Sequence, residues 1–272
     1  MPHFALNHMT VPQAGFEPLL DLAAARGCVG VELRNDLSGP LFDGAAPEKV
    51  RSAFEARGLR FLALAEVKSF NDWSDARARA ADGLMAIASA AGAEAVALIP
   101  RCDGQGRGNG ERQANLRVAL RELAPMLERH GLIGLIEPLG FEISSLRYKA
   151  EALDAVSALG FDGRFQLVHD TFHHHLAGEA AFFAGATGIV HISGVTDAQV
   201  SVSEMTDAHR VHVGPADRLG NIAQIEALLA AGYEGPVSVE AFSPDVHASS
   251  DPGRDLARSF DFIRSALTAK VA

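Results

Sequence analysis

Four short apolar runs in the second half of the chain each carry, at or just past their end, a residue of a type that binds metal ions. LIGLIEPL presents Glu137, FQLVHDTFHHH presents Asp170, GIVHISG presents His191 and PVSVEAFS presents Glu240. Runs of Val, Ile and Leu bounded by Gly or Pro read as strands buried on both faces, the pattern of a parallel sheet covered by helices. A polar residue closing such a strand belongs to the rim of the sheet and not to its core. Three carboxylates and one imidazole suit a divalent cation such as Mn²⁺, Mg²⁺, Co²⁺ or Zn²⁺, because carboxylate oxygen favours hard ions and imidazole borderline ones. The pattern predicts a metalloenzyme that holds one divalent metal ion.

The rest of the chain supplies the frame that brings four strand ends together. HFALNH, GVELR, RFLALAEV and AVALIP read as four earlier strands. Helical spacing of apolar residues follows each: from about Gln13 to Arg26, from Pro47 to Arg57, from Asp75 to Gly92 and from Glu111 to His130. Pro47 fits a first helical turn, and Gly58 fits the stop after it. Helices near Ala150–Leu159, Glu179–Phe183, Ile222–Ala231 and Asp255–Thr268 complete eight βα units. The expected fold is α/β, a single (β/α)8 TIM barrel domain over residues 1–272, in keeping with the roughly 250 residues such barrels need. An open doubly wound sheet would call for a Gly-rich phosphate turn after the first strand, and HFALNHMTVPQAG has no GxGxxG. The glycine cluster DGQGRGNG lacks the Lys-Ser/Thr of a P-loop and reads as a βα loop.

Charge narrows the partners. With 24 Lys+Arg against 34 Asp+Glu, the formal charge of −10 repels phosphate backbones and anionic membrane surfaces, so neither nucleic acid nor membrane is expected. Cys28 and Cys102 form no CxxC or zinc-ribbon pattern. MPHFALNHMTVP has no basic region followed by a long apolar one, so a cytoplasmic protein is expected. A small-molecule substrate remains, and the sequence is compatible with a homo-oligomer.

At this point the motifs resemble a known family. FALNHMT, GVELR, LIEPLGF, LVHDTFHHHLAG, VHISGVTD, EMTDAHRV and VSVEAFSPDVH are similar to segments of the xylose isomerase-like TIM barrels, along nearly the whole chain. The EMTDAHRV segment favours the branch that isomerises inososes over the ketose epimerases. The resemblance implies isomerisation of a cyclic polyol ketone, of the 2-keto-myo-inositol to 1-keto-D-chiro-inositol type. It also implies Glu137, Asp170, His191 and Glu240 as metal ligands, with Glu137 and Glu240 as the proton-exchanging catalytic pair. Moving a carbonyl to the neighbouring carbon needs removal of a proton α to a ketone, and a cation can stabilise the resulting enediolate. Which glutamate is the base stays open. So do a ketose 3-epimerase or hydroxypyruvate-type isomerase, and an apurinic endonuclease-like enzyme, although the charge opposes a DNA groove.

Further polar residues are assigned more loosely. By resemblance to an Asp-x-Phe-His pattern, His173 is expected to bind substrate hydroxyls, and by resemblance to the family's arginine after the seventh strand Arg210 is expected to contact a substrate oxygen. Alternation along an extended strand puts His173 and His175 on one face with His174 opposite, and gives His169 a packing role. Glu32 and Arg34 share a face at the end of their strand and either bind polyol oxygens or form a rim salt bridge. Lys68 and Trp73 are read as an exposed lysine and a packing tryptophan, with the pocket as the alternative for each. Ile192-Ser193-Gly194 departs from the family by lacking a polar amide or acid beside His191, so a backbone carbonyl or water is expected to orient that ring. VHVGPADRLGNI replaces the family's Pro-Gly-x-Gly-type turn after Arg210.

Overall fold

The structure, a computed structural model, describes residues 1–108 and 110–269. Eight parallel strands close into a barrel in chain order. The first half comprises β1 (His3–Asn7), α1 (Phe16–Ala25), β2 (Gly30–Arg34), α2 (Pro47–Arg57), β3 (Arg60–Lys68), α3 (Asp75–Ala91), β4 (Ala95–Ile99) and α4 (Glu111–His130). The second half comprises β5 (Ile133–Ile136), α5 (Lys149–Ala158), β6 (Phe165–Asp170), α6 (Thr171–Ala177), β7 (Thr187–Ile192) and α7 (Asn221–Ala230). It ends with β8 (Pro236–Val239), a short α8 (Pro244–His247) and α9 (Pro252–Ala269). The expected (β/α)8 barrel is present.

Local sequence explains the boundaries. Pro47 occupies the first turn of α2, and Gly58 ends it at φ 63°, a left-handed conformation that costs glycine little. Ser74 caps α3 by accepting from the backbone N–H of Arg77. In α9, Leu256, Phe260, Ile263 and Leu267 recur at helical spacing and are buried, and Phe260 stacks on Phe4 of β1 with ring centroids 4.0 Å apart. The last helix thus seals the seam where β8 pairs with β1.

Alternation along the strands divides inside from outside. Phe4 and Leu6 of β1 join the large core under the helices, whereas Ala5 joins a smaller cluster with Leu62, Ala63, Ala95, Leu135, Val168 and Ile189. That smaller cluster fills the barrel, so the lower part is a packed core. By the same alternation, Val31 and Leu33 of β2 face the helices while Glu32 and Arg34 face inward.

The sixth unit differs from the sequence expectation. β6 stops at Asp170 and α6 starts at once, so His173, His174 and His175 are helical and their strand alternation does not apply. Asp170 is the cause: its Oδ1 accepts from the N–H groups of Phe172 at 2.7 Å and His173 at 3.0 Å, and Gly178 stops the helix in a left-handed conformation. Residues 179–183, expected as a helix, are irregular and lead to a 3-10 turn at Ala184–Ala186.

Candidate metal centre

Glu137 follows β5, Asp170 ends β6, His191 is the penultimate residue of β7 and Glu240 follows β8. All four strands point the same way, so these residues meet at the C-terminal mouth of the barrel. Each offers a ligand atom within 4.8 Å of the others, and all four are buried. From His191 Nδ1 the nearest carboxylate oxygens are 3.3 Å away on Glu240, 3.5 Å on Glu137 and 4.0 Å on Asp170.

A residue far away in sequence orients the imidazole. Glu32 Oε2 lies 3.0 Å from His191 Nε2, and Ser238 Oγ donates to Glu32 Oε1 at 2.6 Å. Hydrogen bonding at Nε2 leaves Nδ1 directed at the carboxylates, and among the described residues that buried nitrogen forms no hydrogen bond of good geometry. An acceptor behind a ligating histidine raises its basicity and fixes its tautomer. Glu32 therefore does what a backbone carbonyl or water was expected to do, and it sits beneath the cavity instead of lining it.

The two glutamates have unlike surroundings. Glu240 receives Arg34 Nη1 on Oε1 and Arg210 Nη2 on Oε2, both at 2.9 Å. Burial would raise its pKa, but His191 and the two arginines hold it well below the usual carboxylate range. Among the described residues Glu137 has no arginine partner, and burial pushes its pKa up despite His191. For Asp170 burial also opposes ionisation, yet Arg210 and His173 keep the pKa low. Burial would depress His191, but Glu32, Glu240 and Glu137 raise it well above an ordinary imidazole. A divalent cation would take the place of the Nδ1 proton, and a three-oxygen, one-nitrogen donor set fits it.

Arg210 braces the cluster. Its Nη2 also donates to Asp170 Oδ2 at 2.5 Å, its Nε to Ser193 Oγ at 2.9 Å and its Nη1 to Asp207 Oδ1 at 3.1 Å. The guanidinium is sandwiched between Phe242 and Phe172, 4.5 and 5.0 Å from their ring centroids. Asp170 thus divides its oxygens, one capping α6 and the other facing the site.

Above the cluster opens a cavity of about 630 Å³. Its lining includes Arg34, His173 and Arg210 together with Glu137 and Glu240. Lys68 reaches it, whereas Trp73 packs against the core. His174 turns away to Lys149, with Nδ1 2.7 Å from the ammonium, and His169 packs outside the barrel against Gln224 of α7. Gly140 permits the β5 loop to lie on α6, since a Cβ there would fall 2.2 Å from the His173 carbonyl oxygen. Sequence reasoning missed Asp36 and Glu66, which add charge to the β2–β3 wall, and the apolar wall of Ile99, Leu139, Phe141 and Ile143. Glu66 carried a signal, an acid closing an apolar strand.

Fold and site together define a (β/α)8 barrel with a candidate divalent-metal centre at its catalytic face. The family model described as xylose isomerase-like TIM barrel matches residues 20–266, and the chain belongs to that family. A xylose isomerase domain containing protein from Salmonella typhimurium LT2 is 30% identical, with TM-score 0.90 and 97% of both chains covered. The IolI protein with a bound zinc atom superposes with TM-score 0.86 at 21% identity, covering 99% of each chain. L-ribulose 3-epimerase shares the fold with TM-score 0.73 at 18% identity, over 99% of this chain and 95% of its own. A comparison with curated proteins finds no match. Among the described residues no helix is long and apolar enough to cross a membrane.

Proposed function

We propose that the protein is a divalent-metal-dependent isomerase of a cyclic polyol ketone, of the 2-keto-myo-inositol to 1-keto-D-chiro-inositol type. The observation that carries this reading is the cluster of Glu137, Asp170, His191 and Glu240, in which His191 Nδ1 faces the carboxylates without a formed hydrogen bond and Glu137 and Glu240 line a cavity of mixed character. A cyclic polyol presents hydroxyls at its edge and C–H groups on its faces. Charged residues of the β2–β3 wall suit the edge, and Phe141, Ile143 and Leu139 suit a face. The sequence motifs that resemble the inosose branch support the same substrate.

A cation held by the four ligands would polarise the ketone and stabilise the negative charge that develops on the substrate oxygens. Glu137, the stronger base of the pair, takes the proton from the carbon beside the ketone and returns a proton to the former carbonyl carbon. Glu240, held by Arg34 and Arg210, stays ionised beside it. His173 and Arg210 bind substrate oxygens, and the buried floor limits exchange with bulk water. Incubation of metal-loaded protein with 2-keto-myo-inositol, followed by NMR, tests the reading. The expected product is the 1-keto isomer; an inert inosose together with rapid epimerisation of a linear ketohexose would replace this reading with a ketose 3-epimerase.

A further inference from the structure

Glu66 stands near the end of β3 with its backbone clasped by Asn35. The Glu66 N–H donates to Asn35 Oδ1 at 2.8 Å, and its carbonyl accepts from Asn35 Nδ2 at 3.1 Å. The side chain, 10% exposed, lines the same cavity as Glu137 and Glu240. Among the described residues no group donates a hydrogen bond to its carboxylate, and the nearest cation is Arg34 Nη2 at 3.6 Å. Burial above all pushes its pKa up to about 7, with Asp36 and Glu137 adding to the rise while Arg34 and Lys68 oppose it. The carboxyl thus faces the cavity, keeps one loose ion pair with Arg34 and receives no hydrogen bond among the described residues, and a pKa raised to about 7 suits it to exchange a proton at neutral pH.

Isomerisation and epimerisation differ in what they ask of such a group. Turning a ketone and its neighbouring carbinol into the exchanged pair moves two protons: one from carbon to carbon, and one from the hydroxyl oxygen to the former carbonyl oxygen. Epimerisation returns the carbon proton to the opposite face of the same carbon and leaves each oxygen as it began. Glu137 serves the carbon in the reading above, so the oxygen-bound proton needs its own carrier. We propose that Glu66 is a further catalytic residue, which carries the oxygen-bound proton between the two substrate oxygens. The assignment rests on the isomerase reading.

The steps balance without an external oxidant or reductant. As Glu137 removes the carbon-bound proton, neutral Glu66 donates its proton to the ketone oxygen and becomes a carboxylate. That carboxylate then accepts the proton of the neighbouring hydroxyl while Glu137 protonates the former carbonyl carbon. Glu66 ends neutral and Glu137 ends ionised, as both began. Proton transfer of this kind contributes about 10²–10⁴-fold to rate.

The test uses metal-loaded wild type and Glu66→Gln in D₂O with 2-keto-myo-inositol, reading product formation and deuterium uptake into recovered substrate in one NMR experiment. Glu66→Gln is nearly isosteric, and unchanged thermal melting verifies its fold. The expected result is a loss of product formation of at least about 10²-fold, with a much smaller loss of deuterium uptake. The kcat profile of the wild type should also show a group titrating near pH 7 that the variant lacks. Equal losses in product and uptake, or no loss in either, would overturn the assignment of Glu66 while leaving the isomerase reading standing. Deuterium uptake by the wild type without any isomerised product would overturn the isomerase reading and the shuttle with it.

Discussion

Replacing Glu32 by Gln separates the role its position suggests in sequence from the one its contacts give it. The carboxylate is 1% exposed and holds His191 Nε2 at 3.0 Å, while Ser238 holds the carboxylate from behind at 2.6 Å. Gln keeps the shape and one acceptor but removes the charge that makes the imidazole basic. A hydrogen bond to a charged group contributes about 1.5–3 kcal/mol, and loss of a partner behind a metal-ligating histidine lowers metal affinity by about 10–100-fold. The two ranges agree, since a tenfold change corresponds to about 1.4 kcal/mol. Glu32→Gln should therefore weaken Zn²⁺ or Co²⁺ binding by about 10–100-fold, measured by competition with a chromogenic chelator. KM for the ketone, with metal saturating, should change little because Glu32 does not line the cavity. Metal affinity unchanged with KM raised would refute this reasoning and restore Glu32 to substrate binding.

Three other outcomes follow from the geometry. The His169 pKa is pushed down to about 3 by burial, with Lys149 and His174 adding to it, so the folded protein keeps this ring neutral where the unfolded chain protonates it near 6.5. Stability from this group is present above pH 6.5 and is lost as pH falls toward 3; at pH 5 the loss is about 2 kcal/mol, and an His169 NMR signal titrating above pH 5 would contradict it. Arg210→Met leaves Asp170 and Glu240 buried without their shared cation, so the metal-free variant should lose about 3–5 kcal/mol in urea unfolding; a loss below about 1 kcal/mol would rule out that buried pairing. Gly140→Ala forces the β5 loop off α6 and should raise KM through His173, measured by steady-state kinetics, with unchanged kinetics counting against the close approach.

Much of the barrel is legible because each strand is a continuous apolar run and most helices carry their own punctuation. Pro47 and Gly58 delimit α2 as expected, and α3 and α4 fall where their spacing puts them. The sixth unit was misread for a physical reason: Asp170 is at once the last strand residue, the cap of α6 and a site carboxylate. The Asp at one end and Gly178 at the other were the available signal for a short helix. The four proposed ligands meet because strand ends share one rim, a consequence of topology that sequence order alone already implies. Glu32 beneath His191 was not legible, since the pairing joins residues 159 apart and depends on the barrel closing. Nor was the loosely paired carboxyl of Glu66, which among the described residues receives no hydrogen bond because Arg34 is drawn to Glu240 and Asp36.

X-ray absorption at the metal edge of the Zn²⁺- or Co²⁺-loaded protein addresses the central claim most directly. Glu137, Asp170, His191 and Glu240 predict one bound ion per chain, with a single imidazole nitrogen and at least three oxygens at about 2.0–2.2 Å. His191→Ala should remove the nitrogen signature and Glu240→Gln should reduce occupancy. A shell containing sulfur, or one unchanged in both variants, would contradict the account.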